Sequence, residues 1–158
     1  MTGLSTRATR VTGASNGSHP EYSSYTLKHL NMDDLERDRK ILQWREKARI
    51  AARRRTPRNL YVITLDPEVL WIREFRQENP GYIEGMPCVY VGMTIHEPGD
   101  RFEQHCLGYR SSRYPREYGV ELALDLLDGF DDSGLAEAER EAALADWLRD
   151  QGMAVWQN

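Results

Sequence analysis

Two short runs dense in β-branched and aromatic residues stand out along the chain. They read Asn59-Leu60-Tyr61-Val62-Ile63-Thr64-Leu65 and Cys88-Val89-Tyr90-Val91-Gly92-Met93-Thr94. Their length and composition predict one strand from Leu60 to Leu65 and a second from Met86 to Thr94. Between them, Asp66-Pro67-Glu68 supplies an N-cap, a proline at the first helical position and an acid in the first turn. Val69, Leu70, Ile72 or Arg73, and Phe75 or Arg76 continue that helix until Asn79-Pro80-Gly81 stops it. Pro98-Gly99-Asp100 opens another helix to about Leu107, where Gly108 suits the position after the last turn.

Residues 109–132 carry a mixed pattern. A short helix from Ser111 to Tyr118 ends at Gly119. Beyond it, Leu122, Leu124 and Leu126 alternate like a strand, while Leu122, Leu126 and Leu127 fit a helical turn, and both readings stand. From Ser133 the pattern is helical: Leu135, Ala138, Ala142, Ala145 and Leu148 share a face and Gly152 closes it. Met153 to Trp156 predicts a last short strand.

Upstream, Ile41, Trp44, Ala48 and Ala51 or Ala52 recur at three- and four-residue steps. That spacing predicts one amphipathic helix, capped by Asn31, favoured by Asp33 and Asp34 at its positive end, and ended by Thr56-Pro57. Residues 1–25 are Ser-, Thr- and Gly-rich with hardly an aliphatic residue, so they read as a disordered tail, with a transit-type segment as the alternative. The chain thus divides into a tail (1–25), a basic helical arm (31–56) and one domain (58–158) of the α/β (α+β) class.

Charge changes this picture more than composition does. The net charge is -4, which does not advertise a polyanion binder. Yet residues 37–58 hold ten Lys/Arg against Asp38 and Glu46, a local +8, so the remainder carries -12. A basic arm on an acidic body follows. Arg53, Arg54, Arg55 and Arg58 adjoin the first strand directly, and are expected to contact nucleic-acid phosphates near the active face. Cys88 and Cys106 have no metal-ligand spacing and read as buried free thiols. No apolar run approaches a bilayer's width and no secretory signal is evident, so a cytoplasmic protein without membrane contact is expected.

Phosphodiester hydrolysis requires a polarised water, an anchored phosphate and stabilised charge on the leaving oxygen. Tyr61 and Tyr90 sit mid-strand on segments that pair naturally, so both phenols project from one face of a small sheet. Gly92 would let a backbone or a phosphate approach closely. Arg101 and His105, at i and i+4, stack on one helix face, where a guanidinium binds phosphate and an imidazole relays a proton. Glu141 lies three and four positions before Leu144 and Ala145, near the inward face of the last helix, and suits a divalent cation. Asn158 offers a polar amide after the final strand. Each of these residues alone would have an ordinary structural reading.

In this order and combination they resemble the GIY-YIG nuclease family. Leu60-Tyr61-Val62 and Tyr90-Val91-Gly92 resemble its two signature strands, with Tyr61 aligned to the first signature tyrosine and Leu60 standing where that signature has glycine. The stretch from Asp100 to Gly108 is similar to the family's arginine helix. Glu141 falls where the family has its metal-binding glutamate, and Asn158 where it has a late asparagine. The likeness covers roughly residues 58–158, and departs from the family in the whole helix between its signature strands. It implies a compact domain on a three-stranded antiparallel sheet and a single-metal endonuclease using Mg²⁺ or Mn²⁺. Tyr61 would be the base, Arg101 would bind phosphate and Glu141 would hold the metal, with DNA ahead of RNA as substrate. The alternatives are a catalytically inactive nucleic-acid-binding module, or a protein-interaction domain engaging its partner through residues 31–55.

Overall fold

The β-branched runs form the central pair of the sheet. In this computed structural model, which describes residues 32–158, β1 (Asn59–Leu65) and β2 (Cys88–Thr94) run antiparallel. Tyr61 stands opposite Gly92, and Ile63 opposite Tyr90. β3 (Gly119–Leu122) pairs antiparallel with β1, and β4 (Ala154–Gln157) pairs parallel with β2, giving the order β3-β1-β2-β4. The expected three-stranded antiparallel sheet is therefore corrected to a four-stranded mixed one. A parallel neighbour needs a long crossover, and its last part is α5 (Glu137–Asp150), which packs against β2 and β4.

The expected tail over 1–25 and the cap at Asn31 lie outside the described residues. The arm helix, α1 (Asp34–Arg54), is capped by Asp33, whose carboxylate accepts from the Glu36 N–H at 2.7 Å. Of its apolar stripe only Trp44 is fully buried, and Ala51 rather than Ala52 completes the covered edge.

The helix expected from Asp66 is broken in two. Asp66 does cap it, but a 3₁₀ turn (Pro67–Trp71) gives way at Ile72 to extended backbone before α2 (Arg73–Gln77). The break lets both Leu70 and Ile72 pack against the rim of the core. α3 (Pro98–Cys106) and α4 (Arg113–Tyr118) follow the expected spans. The open question after Gly119 resolves toward the helical turn: the strand that forms, Gly119–Leu122, ends where the alternating leucines begin, and Leu124 and Leu126 lie in a 3₁₀ turn (Leu124–Leu127).

α5 begins at Glu137 rather than Ser133, because Gly134 adopts a left-handed φ of 83° and the Glu139 carboxylate caps the Ala136 N–H at 3.1 Å. Its inward face is Leu144, Ala145 and Leu148, while Leu135, Ala138 and Ala142 are exposed, so the expected stripe is wrong in its first half.

The two faces of the sheet bury different sets. Leu60, Val62, Val89 and Val91 pack against Leu144, Ala145 and Leu148 of α5. Tyr61, Ile63, Leu65, Cys88 and Tyr90 pack with Val69, Phe75 and Tyr114 on the other side. Cys88 and Cys106 are buried free thiols. No helix among the described residues is long and apolar enough to cross a membrane.

β4 is an edge strand, and Asn79 closes its edge as a missing strand would. The Asn79 amide donates to the carbonyls of Val155 (3.1 Å) and Phe75 (2.8 Å), while its oxygen accepts from the Val155 N–H at 2.7 Å. Asn79→Ala leaves the buried Val155 N–H unsatisfied, while the Val155 carbonyl keeps its Arg149 Nη2 donor at 3.2 Å. It is expected to cost about 1–3 kcal/mol, read as a lower urea midpoint; a loss below about 0.5 kcal/mol would show that water replaces the side chain.

Candidate active site

Alternation along β1 and β2 puts Tyr61 and Tyr90 on the same face, where α3 covers them. Each is only 1% exposed, and their ring centroids lie 6.1 Å apart. Across the ladder from Tyr61, residue 92 has no side chain, and the phenol fills the space. A β-carbon there would fall 2.5 Å from the Tyr61 Cζ. The close approach expected at Gly92 is thus made by Tyr61 itself.

α3 places His105 against the phenols, with its Nε2 2.9 Å from the Tyr61 Oη. Ser111 Oγ donates to the Ser112 carbonyl at 2.9 Å, so its oxygen is left to accept from His105 Nδ1 at 2.9 Å. With its proton on Nδ1, the neutral ring presents a lone pair at Nε2, and the Tyr61 hydroxyl donates to it. His105 is fully buried, and its imidazole is pushed down to about 3, by burial first and by the Arg101 charge second. It is therefore neutral across the physiological range.

The second phenol is held from the chain's last residue. Asn158 Nδ2 donates to the Tyr90 Oη at 2.9 Å, and Asn158 Oδ1 accepts from Ser112 Oγ at 3.1 Å. Burial raises the pKa of both phenols. For Tyr61, the Arg101 charge and hydrogen bonding from Arg101 and Tyr90 pull the other way. Arg101 itself donates from Nη1 to Gln104 Oε1 at 2.9 Å and from Nη2 to the Arg110 carbonyl at 3.0 Å.

Glu141 reaches this place from the opposite layer. It is half-buried on α5, and its charge raises both Tyr61 and Tyr90. Burial raises its own pKa, opposed by the backbone N–H groups of Asn158 and Met93 and by the Arg58 charge. Among the described residues no three His, Cys, Asp or Glu side chains gather as a ligand set. A single carboxylate of this kind suits Mg²⁺, which keeps several waters and takes substrate oxygens.

Tyr61, Tyr90, Arg101, His105, Glu141, Gly92 and Asn158 are thus brought to one end of the β1–β2 pair. Beside them opens a cleft of ≈ 390 Å³ between α1 and the domain, whose wall includes Arg58 and Arg101. Arg53, Arg54 and Arg55 are exposed and lie outside that wall. Arg58 also pairs with Glu137 at 3.4 Å. Ser111 and Gln104 were not legible as site residues. Gln104 carried a weak signal, three positions after Arg101 on the same helix face. Ser111, in a loop, carried none.

Compared with known protein families, characterised proteins and solved structures, the chain shows no match.

Gly92→Ala forces the Tyr61 ring out of its notch. The expected destabilisation is about 1–3 kcal/mol, and it should largely vanish in a Tyr61→Ala background, where the notch is empty. Equal costs in both backgrounds, measured by urea unfolding, would mean the two residues do not oppose each other. His105 gives a pH signature. Its folded pKa is depressed, so the unfolded chain binds the proton first and stability is lost as pH falls from about 6.5 toward 3. The slope approaches about 1.4 kcal/mol per pH unit. The stability difference between the parent and His105→Gln should shrink by that slope between pH 6 and 4; a constant difference would refute the neutral buried imidazole.

Proposed function

We propose that the protein is a metal-dependent endonuclease that hydrolyses phosphodiester bonds in nucleic acid, with DNA ahead of RNA as its substrate. The observation that carries this reading is the one-directional relay from Tyr61 Oη to His105 Nε2 and from His105 Nδ1 to Ser111, buried beside a guanidinium and a carboxylate. Burial alone asks the phenol for an acceptor; what favours chemistry is that this acceptor is an imidazole, oriented by a second hydroxyl and set beside Arg101 and Glu141.

The chemistry follows from the relay. Tyr61 takes a proton from the attacking water as its own moves to Nε2, so no free phenolate has to form in a buried place. His105 is a weak acceptor in the ligand-free protein, and Arg101 is one of the reasons. When Arg101 turns from the Arg110 carbonyl to a phosphate oxygen, its charge is neutralised and the nearby anion raises the imidazole's proton affinity. Substrate binding thereby switches on the base. Asn158 keeps Tyr90 oriented beside Tyr61. Glu141 would hold Mg²⁺ or Mn²⁺, which supplies charge stabilisation for the phosphate and the leaving oxygen when bound.

Burial of both phenols favours a second reading, a nucleic-acid-binding module without catalysis. Nicking of supercoiled plasmid with Mg²⁺ or Mn²⁺, against EDTA, separates the two. Cleavage is expected from the parent protein, falling by roughly a thousandfold or more in Arg101→Ala, Glu141→Ala and Tyr61→Phe, with melting temperatures little changed for the first two. Full activity in either Arg101→Ala or Glu141→Ala would sink the assignment. Binding without nicking by the parent would leave the binding module.

A further inference from the structure

We infer that the cleft between α1 and the domain is the track of the substrate strand, and that Arg45 and Arg110 hold the phosphates flanking the one bound by Arg101. This rests on the reading that Arg101 takes the reactive phosphate.

The walls of the cleft argue for a polyanion. Arg45, Arg58, Arg101 and Arg110 all line it, and no Asp or Glu does. Of the four only Arg58 has a carboxylate partner among the described residues, Glu137 at 3.4 Å; the other three guanidiniums repel one another at one opening, an arrangement that a row of phosphates relieves. The acids on α3 that could have neutralised them face the arm. Asp100 pairs with Lys47 at 2.6 Å and Glu103 pairs with Lys40. Those pairs consume lysines of α1, and leave Arg45 on the cleft side.

The arm is seated rather than tethered. Trp44 is buried and stacks on Tyr109 at 5.8 Å, which sets the rotation of α1 and hence the direction of Arg45, its neighbour. Arg110, next to Tyr109, adopts a left-handed φ of 47°, costly for a residue with a β-carbon. That conformation turns its carbonyl to Arg101 while its exposed side chain stays at the cleft.

A second, independent observation points to a missing ligand. Gln104 lines the cleft and is 2% exposed; its Oε1 is used by Arg101, and its Nε2 has no partner among the described residues. His96 Nδ1, on the same cleft, is also buried without one. Orphaned buried polar atoms are expensive. A phosphate is rich in acceptors and has no N–H to add, so it completes a donor such as the Gln104 amide while Arg101 takes a second oxygen of the same group.

The test measures anisotropy of fluorescein-labelled single-stranded and duplex DNA in EDTA, over a range of salt, with plasmid nicking in parallel. Arg45→Ala and Arg110→Ala should each weaken binding roughly tenfold and reduce the salt slope by about one. Arg39→Ala, on the same helix but outside the cleft, should change affinity by no more than about twofold. Arg45 is an exposed helix position where Ala is well tolerated, so its variant keeps the fold even if Arg110→Ala does not. If both variants bind and cleave like the parent while Arg101→Ala loses cleavage, the strand does not run through the cleft and the nuclease reading survives alone. If the parent binds without cleaving and both variants lose affinity, the track stands and catalysis falls.

Discussion

The Tyr61 phenol occupies the volume that a β-carbon on residue 92 would fill, and the rest of the site is built outward from that overlap. Once a hydroxyl is locked against a strand at 1% exposure it must find partners inside the protein, because water cannot supply them. His105 answers on one side, and Ser111 in turn decides which nitrogen of the ring carries the proton. The position of α3 is thereby tied to a missing side chain on β2. Arg101, one turn earlier on the same helix, cannot be moved independently of the phenol that it acts on.

The fourth strand completes what the central pair begins. Parallel pairing of β4 with β2 sets Trp156 beside Tyr90, so the chain leaves the sheet at the right place for Asn158 to meet the Tyr90 hydroxyl. The same path delivers the Asn158 N–H to Glu141. Glu141 belongs to the layer on the far face, and its carboxylate is felt by the phenols because it sits at the end of the ladder, near Met93, where the sheet no longer separates the two cores. An edge strand that carries this load needs its own closure, and the Asn79 amide provides it.

Local chemistry in the sequence was a good guide wherever it decided the outcome. The Val/Ile/Tyr runs became the central strands, Asp66-Pro67 capped its turn, and Gly108 ended α3. Prediction failed where tertiary packing overrode a local pattern. The helix after Asp66 broke at Ile72, since the core rim claims residues on both sides of the break. Leu135, Ala138 and Ala142 follow helical spacing, but Leu135 precedes the last helix and the other two are exposed on it, so only the Leu144-Ala145-Leu148 segment is inward. The extra strand pairing was illegible for another reason: four residues at the chain's end give no indication of which edge they join. Site residues on regular elements, such as Tyr90 and His105, could be placed from periodicity, whereas Ser111, six residues beyond His105 in a loop, depends on a turn that no periodicity encodes.

A net charge of -4 argues against a polyanion ligand only if the charges are freely mixed, and here they are sorted. Asp100 and Glu103 are neutralised by Lys47 and Lys40 of the arm, and Glu137 by Arg58, while Glu141 is held by backbone N–H groups of Met93 and Asn158. What remains unneutralised at the opening is a set of guanidiniums whose planar donors match phosphate better than ammonium groups do. Lys40 and Lys47, with Arg37 on the Leu107 carbonyl, dock α1, and Arg45 is left for the ligand. That division explains why the arm, with one buried tryptophan and little apolar surface to bury, is held where it is. Its placement is electrostatic, and the same electrostatics make the cleft it closes attractive to a strand of phosphates.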